Sequence, residues 1–546
     1  MSVIGAQART KSTALRARMD TSSKGAGRWA GRIRLFPAVG LALAAGLVVA
    51  FAAYGFLRWI TPVDASKAAA EIDVTRVALT VVAGVGGVVA LVIAYRRQRD
   101  LEQSRFVERF GAAAAQLGAT DVAVRIAGVY AMAGVADESD GLHRQQCIDV
   151  LCGYLRLPYS PELGGNHQTK HVQKRIVGGD AGEDEDHFEY RQNDHEVRAT
   201  IVRVIADHLR PDAEYRWSTS NFDFRTAHLE DVDFNHAVFV GSVRFEKATF
   251  SGYASFDEAT FSDHAWFGYT TFSGGATFNQ ATFSGGATFA NATFSGHAWL
   301  GYTTFSGGAT FNQATFSGGA TFDYTTFSGY AWFSHATFSD ASFRNATFSD
   351  ASFSDATFRS DASFSDASFG NASFRGATFS GNAAFGEAMF KGDIWFEHAK
   401  FRGDDASFGN ASFRDASFRD ATFSGNASFA NASFRRDTSF ANATFSRSAW
   451  FINATFSGNA RFDDATLNGE TSFVAASFSD GTSFEGVVFA GQTGFQSTDF
   501  GSGRVVFTTP RQWGPPPPEF DWGENGDGKP ANIEPTDWPP ALATSM

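Results

Sequence analysis

One group of side chains in this sequence has the residue types that bind a divalent metal ion. It comprises His167, His171, Asp184, Asp186 and His187. Imidazole and carboxylate groups are common metal ligands, and two histidines four residues apart can share one ion. The surrounding residues 159–194 are polar and contain glycine pairs, which predicts a loop in which a tight site is hard to preorganise. We therefore predict that the chain binds no metal and no cofactor.

Acidic side chains in the middle of the chain are a second candidate for chemistry. They are Asp340, Asp350, Asp355 and Asp366, which could form an acidic column. Each follows a phenylalanine at a position where aspartate is favoured because its carboxylate accepts hydrogen bonds within a turn. The chain has no nucleotide-binding glycine loop, no nucleophile elbow and no metalloprotease helix motif. The sequence therefore predicts a protein that is not an enzyme.

The two cysteines, Cys147 and Cys152, are the remaining reactive side chains. A C-x4-C pair without further cysteines is not a zinc site, and both residues fall in a helical pattern of apolar positions. We expect buried free thiols, which suit a reducing compartment.

A long repetitive stretch, from Phe224 to Phe500, occupies half of the chain. Ala-Thr-Phe or Ala-Ser-Phe recurs there every five or six residues, as in Ala346-Thr347-Phe348. A fixed short period is typical of a solenoid, whose units bury a core only when they stack. Side chains alternate across a strand, so alanine and phenylalanine point inward and the threonine or serine between them points outward. The next two residues are turn formers and predict a corner.

The spacing of the phenylalanines predicts the number of faces. With Phe224 counted as the first repeat, every spacing of six or seven residues runs from an even-numbered repeat to an odd-numbered one, as from Phe358 to Phe364. A coil with three faces would move these insertions from corner to corner. A coil with an even number of faces keeps them at the same corners, so the coil has two or four faces.

This repeat resembles the pentapeptide-repeat family, whose loose unit is Ala-polar-Leu/Phe-x-x. The resemblance implies a mainly β fold, a right-handed quadrilateral β-helix, over residues 221–500. About fifty repeats would make about thirteen coils, or roughly 60 Å at the normal strand spacing of about 4.8 Å.

The charge of the chain is concentrated in the repeats. Residues 221–500 contain 15 lysines and arginines and 28 aspartates and glutamates, a difference equal to the whole net charge of −13. Nucleic-acid binding depends on basic side chains that neutralise phosphates. We therefore expect no direct binding of nucleic acid.

Two uncharged apolar runs lie near the N-terminus, within residues 36–95. Phe36–Leu57 and Val77–Tyr95 are each long enough to cross a hydrocarbon core of about 30 Å. The basic residues 1–35 precede the first run, and Arg96, Arg97 and Arg99 follow the second. By the positive-inside rule, this predicts a multi-pass protein of the bacterial inner (cytoplasmic) membrane, with two transmembrane helices, a short outside loop and both termini in the cytoplasm.

The remaining segments are predicted from their composition. Apolar residues at helical spacing predict a helical region at 96–158 and a capping helix within 195–220, separated by a polar linker at 159–194. The helix would cover the open first coil, which exposes unpaired strand groups. The Pro/Trp-rich residues 501–546 predict an extended tail. The helical region resembles the segment before the repeats in bacterial two-span pentapeptide proteins. The residues that carry this resemblance are Arg105-Phe106, Gln116-Leu117-Gly118, Arg125–Tyr130 and Cys152–Arg156.

These features predict a non-enzymatic, membrane-anchored scaffold whose solenoid presents a polar surface to a cytoplasmic protein. Formation of a homo-oligomer is compatible with this hypothesis. The alternative comes from the family resemblance: some pentapeptide proteins mimic DNA in shape and charge and act on DNA gyrase. The acidic rod permits this alternative, whereas the membrane anchor and the arginines of the rod argue against it. Those arginines are Arg402, Arg414, Arg419, Arg435 and Arg436.

Overall fold

The computed structural model describes most of the chain. The described residues are 44, 46, 48, 51–52, 54–56, 59–60, 68–164, 168, 170–176 and 183–543. The chain divides into two compact units, Met1–Glu108 and Arg109–Met546.

No membrane span is found in the part of the chain that the structure describes. Val77–Tyr95 is not a separate helix but the middle of helix α1, Ala68–Leu117, which continues through Arg96 without a break. Among the described residues, no helix has the length and apolarity needed to cross a membrane. The other predicted span, Phe36–Leu57, lies largely outside the described residues. The prediction of a multi-pass inner-membrane protein with two spans is therefore wrong: a run of apolar residues was taken for an element of its own.

Three further helices lie between α1 and the rod, and a buried polar network joins them. Helices α2, α3 and α4 are Val122–Asp137, Gly141–Leu155 and Asp194–Leu209. Arg125 of α2 is completely buried and donates to Asp194 of α4 at 2.6 Å. Tyr154 of α3 donates to the same carboxylate at 2.5 Å. Because loss of any one partner would leave a buried charge unpaired, the network ties the three helices to one another.

Both cysteines lie inside this helical layer as free thiols, which confirms their predicted burial. Burial raises the pKa of Cys147 to about 11 and that of Cys152 to about 12. Both therefore stay protonated, and unreactive, at neutral pH.

The predicted polar linker at 159–194 contains a β-hairpin. Strand β1, Lys170–Ile176, pairs antiparallel with strand β2, Glu183–Glu189. One strand is basic and the other acidic, and Lys174 lies 3.0 Å from Glu185 across the pair. Opposite charges on facing positions stabilise antiparallel strands. The prediction of a linker rested on turn-forming residues and did not include these charges.

From Phe222 the chain winds into a right-handed solenoid of about thirteen turns. Its strands run from Phe222–Asp223 to Ile533–Glu534, and most are two residues long. The longer strands are His228–Asp233, Thr249–Ser255, Thr326–Trp332, Thr347–Ser352, Ser368–Ser373, Met389–Trp395, Asp405–Ser407, Ser412–Ser417 and Asn426–Ser428. Every pair within the solenoid is parallel, because each strand pairs with its equivalent one coil later.

The solenoid has four faces, as the family resemblance implied. We number them by the first coil: Phe224 lies on face 1, Leu229 on face 2, Phe234 on face 3 and Phe239 on face 4. Phenylalanines one coil apart stack almost parallel inside each face, at 4.8 Å and 1° for Phe289 and Phe311. Rings of faces 1 and 3 meet edge to face across the axis, where Phe267 and Phe278 are 5.7 Å apart. Aromatic rings favour both arrangements, so phenylalanine can fill most of the interior.

The two kinds of corner explain where insertions occur. From an odd to an even face the chain makes a tight turn with one residue at positive φ, such as Asn345 at 57°, and Ala346 N donates to Phe343 O. This is the geometry of a type II turn, which has no room for another residue. From an even to an odd face the corner is more open: the strand continues through it in some coils, as in Thr347–Ser352, and the chain bends in the others. There an extra residue forms a β-bulge, as between Phe327 and Tyr330, so length can vary.

Both ends of the rod are covered. Helices α3 and α4 contact the first coil, where Gln145 Nε2 donates to Asn221 O at 2.8 Å and Tyr159 Oη donates to Glu230 at 2.6 Å. At the other end, Pro/Trp-rich residues that were predicted to form an extended tail continue the coil instead. Phe520 stacks on Phe495 at 4.8 Å. Open ends of a solenoid need such caps because they expose strand edges and core rings.

Tryptophan makes the second cap possible. Trp538 packs edge to face on Phe507, Trp513 and Phe520, with ring centroids 5.8, 5.4 and 5.4 Å away. Ile533–Glu534 pairs with Val505–Val506 of the last coil. The tail was predicted from its tetraproline, but burial of its aromatic rings decides its conformation.

Candidate interaction surface

The outward side chains differ between the even and the odd faces. On faces 2 and 4, most coils present threonine before the phenylalanine and serine after it, as in Thr282-Phe283-Ser284. Equivalent threonines pair from coil to coil, so that Thr260, Thr282 and Thr304 follow one another. These faces are smooth and polar. On faces 1 and 3, tryptophan takes the place of threonine in several coils.

Face 1 carries two aromatic pairs separated by two coils. The rings of His264 and Trp266 lie 4.0 Å apart, and those of Tyr330 and Trp332 lie 4.2 Å apart. Trp266 and Trp332 are 39% and 44% exposed, far more than the core rings of the same coils. In the two coils between Trp266 and Trp332, the same outward position is occupied by Thr288 and Thr310. The two tryptophans therefore stand above a low polar floor.

Glycines make room for these rings. A Cβ atom on Gly286 would collide with the ring of His264, and one on Gly308 would collide with the ring of Tyr330. His264 Nε2 also lies 2.9 Å from Thr288 Oγ1, and burial lowers the pKa of this histidine. It is therefore neutral at physiological pH and holds its ring against the face.

Face 3 carries a similar cluster half a turn away. Trp299, 37% exposed, lies 4.6 Å from His297 and 6.4 Å from Tyr253, measured between ring centroids. At the adjoining corner, the exposed rings of Tyr302 and Tyr324 stack at 4.8 Å. We call residues 253–332, which contain all of these rings, the aromatic section.

The sequence contained a signal for this arrangement that the five-residue period obscured. Residues 264–296 and 297–329 are identical except at positions 267/300, 290/323, 291/324 and 292/325. Each copy spans six repeats, which is one and a half coils. The second copy therefore lies on the opposite face, so His264-Ala265-Trp266 is on face 1 and His297-Ala298-Trp299 is on face 3.

The aromatic section is also free of cationic side chains. Between Lys247 and Arg344 the sequence has no lysine or arginine. The acidic residues of the section are Asp257, Glu258, Asp263 and Asp323. This part of the rod thus combines exposed aromatic rings with negative charge.

The basic residues gather farther along the rod. Lys391, Arg414 and Arg435 occupy equivalent positions on face 4 in consecutive coils, and Arg436 follows at the corner. They line an open groove of about 330 Å³. Asp415 partly balances them, 3.6 Å from Arg414 and 4.0 Å from Arg436. The arginines that argue against DNA mimicry are therefore clustered in a few coils of the rod.

The four aspartates considered for an acidic column do not lie in one. Asp355 and Asp366 occupy tight corners, with φ of 57° and 60°, whereas Asp340 and Asp350 lie at even-to-odd corners beside strands of different sheets. Asp350 accepts a hydrogen bond from Asn371 of the next coil at 2.9 Å. Carboxylates at these corners therefore join successive coils. The column that does form consists of Asp393, Asp415 and Asp437.

The histidines and acids of residues 159–194 are not brought together as a site. His171 packs beside Phe188 in the hairpin, and His187 lies 3.3 Å from Glu185. His167 lies outside the described residues. In the described part of the chain, no three or more histidine, cysteine and acidic side chains are placed to hold a metal ion.

Comparison with known families agrees with the geometry of the coils. The model described as pentapeptide repeats (9 copies) matches residues 224–271, 263–304, 300–347, 343–389, 385–433 and 429–477. The chain contains a pentapeptide-repeat domain. No curated protein matches the chain. Among solved structures, QnrB1, a plasmid-mediated fluoroquinolone resistance protein, is 19% identical over 33% of this chain and 75% of its own, with a TM-score of 0.14. A superposition of this quality carries no argument about function.

Proposed function

We propose that the pentapeptide-repeat protein is a non-enzymatic, protein-binding solenoid that contacts its partner through the aromatic section. The observation that supports this is the concentration of exposed tryptophan and tyrosine between residues 253 and 332, on a rod whose other outward positions are mostly serine and threonine. Tryptophan and tyrosine are enriched at the centres of protein interfaces, where a few of them supply most of the binding energy.

The rigid backbone beneath these rings adds to the argument. Trp266 and Trp332 belong to strands paired on both sides, and their inward neighbours are stacked phenylalanines. Binding therefore costs little conformational entropy, which favours affinity. The membrane anchor of the original scaffold hypothesis is not part of this proposal.

A triple variant tests the proposal. We expect Trp266→Ser/Trp299→Ser/Trp332→Ser to reduce the proteins recovered by proximity labelling with the full chain about tenfold or more, because hot-spot truncations typically cost over about 1–2 kcal/mol each. Serine occupies the same columns elsewhere, at Ser352 and Ser363, so the fold should be kept.

The matched control is Trp450→Ser, which changes the equivalent column of face 3 outside the aromatic section. Labelling should be unchanged by this control, and thermal unfolding should be similar for all variants. Equal labelling by the triple variant and the native chain would refute the proposal.

A second candidate function is DNA mimicry directed at DNA gyrase. The observation in its favour is the acidic column Asp393, Asp415 and Asp437, which repeats at the coil spacing along one corner. A regular line of negative charge is what a phosphate-binding surface recognises. The nearby basic residues Arg414 and Arg436 count against it, since they neutralise part of this column.

A supercoiling assay decides between the two candidates. If the full chain mimics DNA, micromolar protein should inhibit purified gyrase, and inhibition should fall steeply as salt rises from about 50 to 200 mM. The variant Asp393→Asn/Asp415→Asn/Asp437→Asn should then inhibit less. Unchanged supercoiling at micromolar protein would eliminate this candidate and leave the aromatic surface as the one to pursue.

A further inference from the structure

We propose that the exposed tryptophans of the aromatic section bind arginine side chains of the partner protein. This proposal rests on the proposed function and adds the chemistry of the partner. It depends on the exposed indole rings, on a guanidinium contact that the rod makes elsewhere, and on the charge of the section.

The rod already contains one such contact. Trp395 lies in the same outward column of face 1 as Trp332, linked to it through Ser352 and Ser373. The guanidinium of Arg375 lies over its indole ring, with Cζ 5.1 Å from the ring centroid. Arg375 Nε also lies 2.9 Å from Glu397. A tryptophan in this column thus has the geometry to accept an arginine from above.

The tryptophans of the aromatic section lack this internal arginine. Arg375 follows Phe374, which stacks under the phenylalanine after Trp395. The residue at the position of Arg375, one coil before the tryptophan, is Glu246 for Trp266, Asn279 for Trp299 and Asn312 for Trp332. Within the described part of the chain, no lysine or arginine lies over these three rings.

The charge of the section selects the same kind of partner. It has four carboxylates and no lysine or arginine, so its own charge attracts an approaching cation. Arg244 lies beside Trp266 in the preceding coil, but its guanidinium is paired with Glu246 at 2.6 Å. The face of an indole ring is negative and attracts cations, arginine most often. An acidic partner would instead be repelled by these carboxylates.

The duplication places equivalent sites on two opposite faces. Trp266 and Trp332 form the site of face 1, and Trp299 with Tyr253 forms the site of face 3. We therefore infer that one rod accepts arginine-bearing segments from both sides. Variants on one face should leave the other site intact.

Titration of the full chain with fluorescent peptides tests this inference. The probes are nona-arginine, nona-lysine and nona-citrulline, the last being neutral but similar in shape to arginine. We expect nona-arginine to bind most tightly and nona-citrulline to show no saturable binding. Trp266→Leu/Trp332→Leu should weaken the site of face 1 by roughly five- to thirtyfold, because each ring contributes roughly two- to fivefold. Leucine keeps apolar bulk but has no aromatic face.

Two matched controls separate this effect from general attraction to an acidic rod. Trp299→Leu should weaken the site of face 3 alone, and Trp395→Leu should change neither site because Arg375 already occupies that ring. The inference is overturned if nona-citrulline binds as well as nona-arginine, or if the leucine variants bind nona-arginine as the native chain does. Loss of partner labelling in the serine variant, together with no arginine binding, would refute this inference and leave the proposed function standing.

Discussion

Replacing Phe348 with alanine should lower the free energy of unfolding by about 3–5 kcal/mol, the usual cost of removing a buried phenylalanine. The ring is 2% exposed and stacks between Phe327 and Phe369, 4.8 Å from each. Its removal would leave a cavity that rigid strands above and below cannot close. Because each coil contacts only its neighbours, the loss should appear as faster hydrogen exchange in these three coils.

The control for this substitution is the preceding residue. Thr347 points outward and is exposed, so Thr347→Ala should change the free energy of unfolding by less than about 0.5 kcal/mol. Chemical denaturation of the full-length variants measures both effects. Equal losses for the two substitutions would contradict the inward and outward assignment of the repeat.

Inserting one glycine after Arg344 should destabilise the rod by more than about 4 kcal/mol. The corner from Phe343 to Phe348 is a tight turn, in which Asn345 has φ of 57° and Ala346 N donates to Phe343 O. One added residue breaks this hydrogen bond and shifts the following strand by one position. Such a shift turns inward side chains outward. Thermal unfolding and proteolysis of the full chain should show the damage.

The matched change is the deletion of Ser360, in the bend between Phe358 and Phe364 where the chain passes from an even to an odd face. The coil below already joins Phe338 to Phe343 with one residue fewer, and Ala341 pairs with Ala362 across the two coils. The deletion therefore makes the two corners equal in length, and it should cost less than about 1 kcal/mol. If the deletion unfolds the rod and the insertion does not, the explanation by corner type fails.

Much of the rod could be predicted from the sequence because its structure is locally determined. Each repeat, such as Ala346-Thr347-Phe348, carries its own alternation of inward and outward side chains, and each corner its own turn formers. The positions of insertions even revealed an even number of faces. A solenoid adds only contacts between neighbouring coils, so short-range patterns are sufficient.

Some elements outside the repeat were predicted wrongly, since their partners are distant or their context is not periodic. The hairpin of Lys170–Ile176 and Glu183–Glu189 depends on charges that face each other only after pairing. The tail from 501 onward folds onto the last coil because that coil offers rings for Trp538 to cover. The apolar run Val77–Tyr95 was read as a span, although it is the middle of a longer helix.

The aromatic surface shows most clearly what the sequence determined and what the tertiary structure decided. The sequence by itself determined that Trp266, Trp299 and Trp332 point outward, since each precedes an inward phenylalanine or leucine. Only the tertiary structure decided which of them share a face. Four repeats make one coil, so a duplication of six repeats alternates between opposite faces, and residues far apart in sequence, such as Trp266 and Trp332, come to lie on one face. Proximity across coils follows from the number of faces, which no single repeat contains.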